Sequence, residues 1–226
     1  MLNKNHRKIL ITIATLLLAI VIFIFFGQLP LKYKVRNLKL DSHSIFLIER
    51  GTTGKAGNVS KTFNLHNPYA SHLGIGFMKN DALIIYHIDI YKSKRKDNLY
   101  VQSINDFVNV QDINYLSVWK LENINDQKFR QIKNTLLQSE NETFNFDFNF
   151  EKDNKQYYCS EYVVKILEEN AIHIFKPHSK KIEGVAKQFL GKNVISYYPV
   201  DSFEKHKAEK IFEWLKKQNN SQPEEN

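Results

Sequence analysis

The sequence predicts an α+β domain built on an antiparallel sheet, preceded by one N-terminal transmembrane helix. Three observations lead to this prediction: an apolar run at residues 9–26, alternation of apolar and polar or small residues over 71–90, and helical spacing of apolar residues after Cys159. Alternation with period two is typical of strands, and spacing of three and four is typical of helices. Strands followed by helices at the flanks indicate an α+β arrangement.

The apolar run at residues 9–26 is interrupted only by the weakly polar Thr12 and Thr15. With a rise of about 1.5 Å per residue, such a helix spans a hydrocarbon core about 30 Å thick. No small-residue cleavage site follows it, which favours an uncleaved anchor over residues 1–30 rather than a signal peptide. Basic residues flank both ends, so charge hardly decides the orientation. We expect a single-pass membrane protein with its domain outside the cytoplasm, because that arrangement is the commoner one.

Composition divides the rest of the chain into a basic tether at residues 31–43, one domain at 44–218 and a disordered polar tail at 219–226. The net charge is +8, with scattered basic residues and no nucleic-acid-binding motif. This favours anionic partners such as lipid head groups or wall polymers over nucleic acid. One cysteine excludes an internal disulfide. The sequence has no metal-ligand cluster, so we expect no metal or cofactor and an activity insensitive to chelators.

The remaining elements are predicted from the same periodicities. The predicted strands are 44–49, 83–90, 99–101, 115–121, 171–175 and 194–198, and the predicted helices are 126–140, 184–190 and 202–217. An alternating extended segment at 143–150 leads to the cysteine helix. We expect residues 50–70 to form a polar loop. Its glycines lack the spacing of a phosphate-binding loop, which excludes that mode of nucleotide binding.

The hairpin predicted at residues 71–90 brings a histidine next to a second polar group. His72 shares one face of its strand with two glycines, and His87 and Asp89 share one face of the returning strand. A two-residue loop at 79–80 would place His72 opposite His87. A loop at 80–81 would place it opposite Asp89 and diagonal to His87. Directly opposed side chains have Cβ atoms about 5 Å apart, so either register gives His72 a polar neighbour.

Cys159 is predicted to lie at the N-terminus of a helix, since Ser160 and Glu161 suit the first turn and apolar spacing follows. Free N–H groups and the helix dipole favour an anion there, so we expect the pKa of the thiol to fall. The alternative is a buried cysteine that acts as a small apolar residue. The neighbouring Tyr158 either lines an oxyanion site or is an aromatic core residue.

A nucleophilic cysteine needs a base, and the base needs a group that fixes its tautomer. We therefore predict Cys159 as the nucleophile, His72 as the base and either His87 or Asp89 as the third member.

Two motifs in this constellation indicate a family. With Ser71-His72-Leu73-Gly74-Ile75 on a strand and Tyr158-Cys159-Ser160-Glu161 opening a helix, the chain resembles the permuted papain-like hydrolases of the YiiX/YaeF type, which are related to NlpC/P60 enzymes. Segments 147–150 and 199–203 are similar to the family's approach segment and C-terminal turn. The resemblance implies a circularly permuted papain-like fold, Cys159 as nucleophile and His72 as base. His87 stands where the family commonly has glutamate.

The function that this resemblance implies is that of a cysteine hydrolase, an amidase or peptidase that works through an acyl-enzyme thioester. Anchored in a membrane, it would act on cell-wall peptides. The two histidines also resemble those of the lecithin:retinol acyltransferase-like group, which implies a second possibility, a thiol enzyme acting on lipid acyl groups. The third possibility is a non-catalytic wall- or lipid-binding module. The sequence leaves the oligomeric state open.

Overall fold

The computed structural model describes Thr15 and residues 31–90, 98–151, 156–203 and 207–216. The chain divides into two compact units, Met1–Leu38 and Lys39–Asn226. Apart from Thr15, the anchor predicted for residues 1–30 lies outside the described residues. Within the described part, no helix combines the length and the apolar character needed to cross a membrane. Among the described residues of the first unit, Leu31–Arg36 form a short helix, α1, where the sequence predicts a tether.

The second unit is an α+β domain, as predicted. Its strands are β1 (Ile45–Thr52), β2 (His72–Lys79), β3 (Ala82–Ile88), β4 (Leu99–Ser103), β5 (Ile113–Leu121), β6 (Asn145–Phe146), β7 (Gln156–Tyr157), β8 (His178–Lys181), β9 (Val194–Tyr197) and β10 (Ala208–Leu215). Its helices are α2 (Lys55–Lys61), α3 (Ile104–Phe107), α4 (Asp126–Ser139), α5 (Cys159–Glu169) and α6 (Gly184–Leu190).

Among these elements, six strands form one antiparallel sheet in the order β10-β5-β1-β2-β3-β4. Helix α5 packs on this sheet because Tyr162, Val163 and Ile166 fall on one side of the helix, where they join Leu73 and Ile75 of β2 in the core. Burial of each such side chain contributes roughly 1.5–3 kcal/mol. This packing fixes the helix that begins with Cys159 over the strand that begins with His72.

The β2–β3 hairpin adopts the second of the two predicted registers. Lys79 pairs with Ala82, so the loop consists of Asn80 and Asp81, whose φ angles of 51° and 59° suit a tight turn that follows the twist of the strands. Asparagine and aspartate tolerate this left-handed conformation better than most residues. Continuing the pairing places His72 opposite Asp89 and diagonal to His87.

The helix predicted at residues 202–217 is wrong. The chain forms strand β10 there, paired with β5 and interrupted by a bulge between Lys210 and Phe212. Apolar residues at positions 211, 212 and 215 fit helical spacing, but Phe212 and Trp214 alternate in burial with their neighbours as a strand requires. Pairing with the edge of β5 supplies backbone hydrogen bonds, and these outweigh the weak helical periodicity of the apolar residues.

The polar loop predicted at residues 50–70 is also wrong in part. Strand β1 continues to Thr52 and helix α2 follows almost at once. A Cβ atom at Gly57 would collide with the hydroxyl oxygen of Thr52, so only glycine lets α2 lie this close to the strand end. Helix α2 thereby becomes a wall of the site described below.

Two further expected extended segments are mostly irregular. The predicted strand at 171–175 has no regular structure, and only Asn145 and Phe146 of 143–150 form a strand. Beyond them the carboxylate of Asp147 accepts hydrogen bonds from the backbone N–H groups of Asn149 (2.7 Å) and Glu151 (2.8 Å). These local bonds turn the chain and compete with strand pairing.

Candidate active site

The two histidines of the hairpin form a buried hydrogen-bonded pair. Nε2 of His72 lies 2.8 Å from Nδ1 of His87, and Nε2 of His87 lies 3.2 Å from the side-chain oxygen of Gln102 on β4. Because that amide oxygen accepts, His87 carries its hydrogen on Nε2, and its Nδ1 accepts from His72. His72 is then protonated on Nε2, and its Nδ1 keeps the lone pair that can take a proton.

Asp89, the other candidate for the third position, pairs with a different group. Its Oδ2 atom is 2.9 Å from the guanidinium of Arg50 and 3.9 Å from Nε2 of His72. Arg50 is buried and also donates to the backbone oxygen of Phe107 at 2.8 Å. His87 is therefore the hydrogen-bond partner of His72, while Asp89 balances the buried charge of Arg50.

The ring of Phe107 packs against this cluster. Its centroid lies 5.9 Å from that of His72, 5.0 Å from that of His87 and 4.5 Å from the guanidinium carbon of Arg50. Helix α3 holds the ring in place, because Phe107 is fully buried and Ser103 caps the helix by accepting from the N–H of Asp106. The imidazoles are consequently held in one orientation and shielded from water.

Cys159 begins helix α5 as predicted, with Tyr158 as the N-cap residue. The residue is partly exposed, and its sulfur receives hydrogen bonds from the backbone N–H groups of Leu73 and Ser160. Leu73 directly follows His72, so the sulfur reaches β2 beside the predicted base. The structure thus brings the start of the cysteine helix to the start of the histidine strand, two points distant in sequence.

The expected fall in the thiol pKa does not occur. Burial raises the pKa of Cys159 to about 11, and the charge of Asp89 acts in the same direction. The N–H groups of Leu73 and Ser160, and the charge of Arg50, act against this rise without offsetting it. Desolvation therefore outweighs the helix N-terminus, and the resting cysteine is a neutral thiol.

Both histidines are neutral as well. Burial, together with the positive charge of Arg50, holds the pKa of His72 well below its usual value. Burial, His72 and Arg50 lower the pKa of His87 in the same way, against the opposing effects of Asp89 and Gln102. The resting site thus holds a neutral thiol at the start of α5 and a neutral imidazole at the start of β2.

On its other side Cys159 opens into an apolar groove of about 490 Å³. We call this feature the aromatic groove. Its lining consists of Lys55, Ala56, Val59, Ser60, Phe63, Ser71, Phe146, Asp147, Phe148, Phe150, Tyr158, Cys159, Ser160, Leu190, Tyr197, Tyr198, Pro199 and Val200. Tyr158 is nearly buried in this wall, and its hydroxyl accepts from the backbone N–H of Tyr198 at 2.8 Å. That bond ties the residue before the nucleophile to the opposite wall.

Three potential metal ligands also meet here, contrary to the absence of a ligand cluster expected from the sequence. One donor atom each from His72, His87 and Asp89 lies within 4.8 Å of the others. The donor types suit a zinc-like ion. However, the guanidinium of Arg50 already forms an ion pair with the carboxylate of Asp89. Its positive charge disfavours the binding of a dication at the same place.

Several residues that shape this site were not predicted from the sequence. Arg50 and Gln102 complete the polar cluster, and the carboxylate of Asp201 holds the loop beside the groove through the N–H groups of Leu65 (3.0 Å) and Asn67 (2.7 Å). A basic residue ending an apolar strand was the one signal for Arg50. Nothing local marks Gln102, because its role depends on pairing between β3 and β4.

Comparison with known proteins identifies the family to which this chain belongs. The sequence model described as permuted papain-like amidase enzyme, YaeF/YiiX, C92 family matches residues 54–207. No curated protein matches the chain in sequence. Among solved structures, the chain is similar to metalloprotein YiiX from Escherichia coli O157:H7, with a TM-score of 0.59 and 12% identity over 76% of this chain and 97% of that one. At that identity the likeness shows the fold alone.

Proposed function

Because this chain belongs to the family of permuted papain-like amidases, YaeF/YiiX, we propose that it hydrolyses an amide bond with Cys159 as nucleophile, His72 as base and His87 as the residue that orients His72. The observation that carries the proposal is the chain of hydrogen bonds from Gln102 through His87 to His72, whose neighbour Leu73 bonds the sulfur of Cys159 through its backbone N–H. This chain leaves Nδ1 of His72 as the nitrogen that accepts a proton.

The reaction proceeds in two steps. Nδ1 of His72 takes the thiol proton as the sulfur of Cys159 attacks the carbonyl carbon, and the same proton passes to the leaving nitrogen as the carbon–nitrogen bond breaks. A water molecule, activated by the neutral His72, then attacks the thioester. The products are a carboxylic acid and an amine, and the thiol is regenerated.

Two features lower the barriers of these steps. Backbone N–H groups at the start of α5, including that of Cys159, stabilise the oxyanion that forms on the carbonyl oxygen. His87 accepts from His72 and therefore supports the imidazolium while it exists. As a neutral residue it does so less strongly than the carboxylate common in the family. We expect a slower first step than a carboxylate-supported site would give.

The experiment is detection of the acyl-enzyme. The full chain is mixed with an activated amide, quenched in acid and analysed by mass spectrometry for an adduct on Cys159, the single cysteine of the chain. We expect a stoichiometric adduct whose formation and decay match turnover. Cys159→Ala should form none and lose at least about 10⁴-fold in kcat. Turnover that persists in Cys159→Ala would refute the proposal.

We also propose that residues 1–30 anchor the enzyme in a membrane, with the domain outside the cytoplasm. The apolar run at 9–26 and its basic flanks support this. Cell-wall peptides would be substrates within reach there. Recovery of the full chain in the soluble fraction without detergent would contradict the anchor.

One alternative activity is favoured by a specific observation. Acyl transfer on lipids fits the aromatic groove beside Cys159 better than a polar substrate does, and the two-histidine arrangement suits it equally. A module that binds wall polymers or lipids without turnover uses the same surface. Acyl-enzyme formation separates both enzymes from the binding module.

The similar protein from Escherichia coli O157:H7 is described as a metalloprotein. The proposed reaction involves no metal, because Arg50 neutralises the carboxylate of Asp89 that a metal would need. The proposed thiol chemistry uses only protein groups.

A further inference from the structure

We propose that Arg50 is a positioning residue that decides which group accepts the Nε2 hydrogen of His72. By holding the carboxylate of Asp89, Arg50 leaves the neutral His87 as that acceptor, and a chain without Arg50 would use Asp89 instead. The inference rests on the proposed thiol hydrolase and adds the residue that selects the partner of its base. It is carried by the contacts of Arg50 with Asp89 and with Phe107.

The three side chains concerned lie in one row across three strands of the sheet. Arg50 pairs with His72 between β1 and β2, and the register of the β2–β3 hairpin, continued to the start of β2, places Asp89 opposite His72. Directly opposed residues point their side chains to the same face of a sheet. The cation and the carboxylate therefore flank the imidazole, and both lie close enough to act on it.

Two acceptors lie near the Nε2 hydrogen of His72. Nδ1 of His87 is 2.8 Å from Nε2, whereas Oδ2 of Asp89 is 3.9 Å from it, about 1 Å beyond hydrogen-bond distance. A carboxylate is the stronger acceptor, since hydrogen bonds to ionised groups are roughly twice as strong as those between neutral groups. The stronger acceptor is thus the one that His72 does not use, so another contact must restrain Asp89.

Both carboxylate oxygens of Asp89 are held by other donors. Oδ1 accepts from the backbone N–H of Ile90 at 2.8 Å, and Oδ2 accepts from Nη2 of Arg50 at 2.9 Å. Arg50 is itself fixed, because its Nη1 donates to the backbone oxygen of Phe107 at 2.8 Å and its guanidinium lies over the ring of that residue. Phe107 therefore fixes the guanidinium, and the guanidinium fixes the carboxylate.

The burial of Arg50 is costly for the stability of the fold. The residue is 6% exposed, and its Nε atom has no hydrogen-bond partner among the described residues. Burial of a cation and of an unpaired donor both cost free energy, and a buried ion pair often stabilises a protein less than apolar residues of the same size would. A role in the site accounts for an ion pair that packing alone does not favour.

Removal of Arg50 should release the side chain of Asp89 without moving its backbone. The N–H of Asp89 donates to the backbone oxygen of Asn98 at 3.1 Å, and the side-chain amide of Asn98 donates to the backbone oxygen of Asp89 at 3.0 Å. Neither bond involves Arg50. The freed carboxylate needs to move by only about 1 Å to accept from His72. We therefore expect it to replace His87 as the partner of the base.

The test is a double-mutant cycle on kcat in the full chain, measured with the activated amide that detects the acyl-enzyme. In the unsubstituted chain, His87→Leu should lower kcat about tenfold or more, because the imidazolium loses its acceptor. In Arg50→Met, which keeps an unbranched side chain over Phe107 but no charge, His87→Leu should lower kcat less than about threefold. Adding Asp89→Asn to Arg50→Met should restore the full loss, because the freed carboxylate is then gone.

Two control variants separate the charge of Arg50 from its bulk and its place in the site. Arg50→Lys, which keeps a cation that can reach Asp89, should retain the full dependence on His87. Lys61→Met is the matched control, because it removes a partly buried cation that donates to the backbone oxygen of Thr52 instead of to Asp89. It should leave the effect of His87→Leu unchanged. Losses in Arg50→Met and His87→Leu that simply multiply would overturn the inference and leave the thiol hydrolase standing.

NMR of the nitrogen-labelled chain decides the inference without turnover. In the unsubstituted chain, a scalar coupling across the hydrogen bond should join Nε2 of His72 to Nδ1 of His87. Arg50→Met, or Arg50→Leu if the first variant does not fold, should abolish this coupling, and Arg50→Lys should keep it. Absence of the coupling from the unsubstituted chain, or its survival in Arg50→Met, would overturn the inference. A coupling that changes as expected, in a chain that forms no acyl-enzyme, would support the inference and refute the hydrolase.

Discussion

The residues on the two sides of Cys159 differ in polarity. On one side lie the imidazoles of His72 and His87 and the ion pair of Arg50 with Asp89, each joined to a named partner. On the other side lies the aromatic groove, whose lining is mainly apolar and whose buried Asp147 and Tyr158 are hydrogen-bonded within the protein. The sulfur is where they meet.

The difference shows how one domain separates reactivity from recognition. The polar side can hold and move a proton because its groups are rigid and shielded by Phe107. The aromatic side cannot take part in proton transfer, but it can bind an apolar chain through the burial of apolar surface alone. Substitutions on the polar side should therefore change kcat for every substrate, whereas substitutions in the groove should change the preference among substrates.

The largest effect is expected when the base is removed. His72→Ala should lower kcat/KM for a short-chain and a long-chain N-acyl amide alike by about 10²–10⁴-fold, because the group that accepts the thiol proton is lost. Steady-state kinetics with both substrates measures it. His66→Ala, which removes an exposed imidazole, is the control and should have no effect. A loss confined to the long-chain amide would contradict the division between the two sides.

The next largest effect concerns the state of the thiol. A thiol pKa of about 11 means that the thiolate fraction, and hence the rate of alkylation by iodoacetamide, rises about tenfold per pH unit between pH 7 and 10. At pH 7 Cys159 should react more slowly than free cysteine. Mass spectrometry follows the label at this single cysteine. A rate that stays constant from pH 5 to 9 would instead indicate a thiolate–imidazolium pair and contradict the neutral resting state.

The smallest expected effect is that of a chelator. Dialysis of the full chain against EDTA should leave kcat/KM unchanged, because Arg50 opposes a dication at His72, His87 and Asp89. Activity measured before and after dialysis, with a mock-dialysed sample as control, tests this. Loss of activity that added Zn²⁺ restores would assign the three side chains to a metal and overturn the scheme for the polar side.

The sequence predicted the features of the site that depend on short-range patterns. Alternation over residues 71–90 predicted the hairpin, and the turn residues Asn80 and Asp81 allowed the observed register to be one of two. Helical spacing after Cys159 predicted α5 and placed the cysteine at its N-terminus. Such patterns need no knowledge of tertiary contacts.

What the sequence could not predict depends on contacts between distant segments. The thiol pKa depends on burial against β2, which outweighs the local helix N-terminus. Strand β10 exists because β5 offers an edge for pairing, against a helical pattern in the sequence. The aromatic groove combines residues of α2 with residues near positions 146–150 and 197–200, so no single stretch contains it.

The carboxylate of Asp201 joins two segments that the ribosome makes at different times. It holds the backbone of Asn67 across a separation of 134 residues. At a synthesis rate of about 5–20 residues per second, the ribosome adds Asp201 roughly 7–27 seconds after Asn67. Until then the loop that contains Asn67 lacks the carboxylate that accepts its backbone hydrogen bonds. A nascent chain that has been made only as far as Cys159 therefore carries the thiol but lacks both Asp201 and the groove residues near positions 197–200.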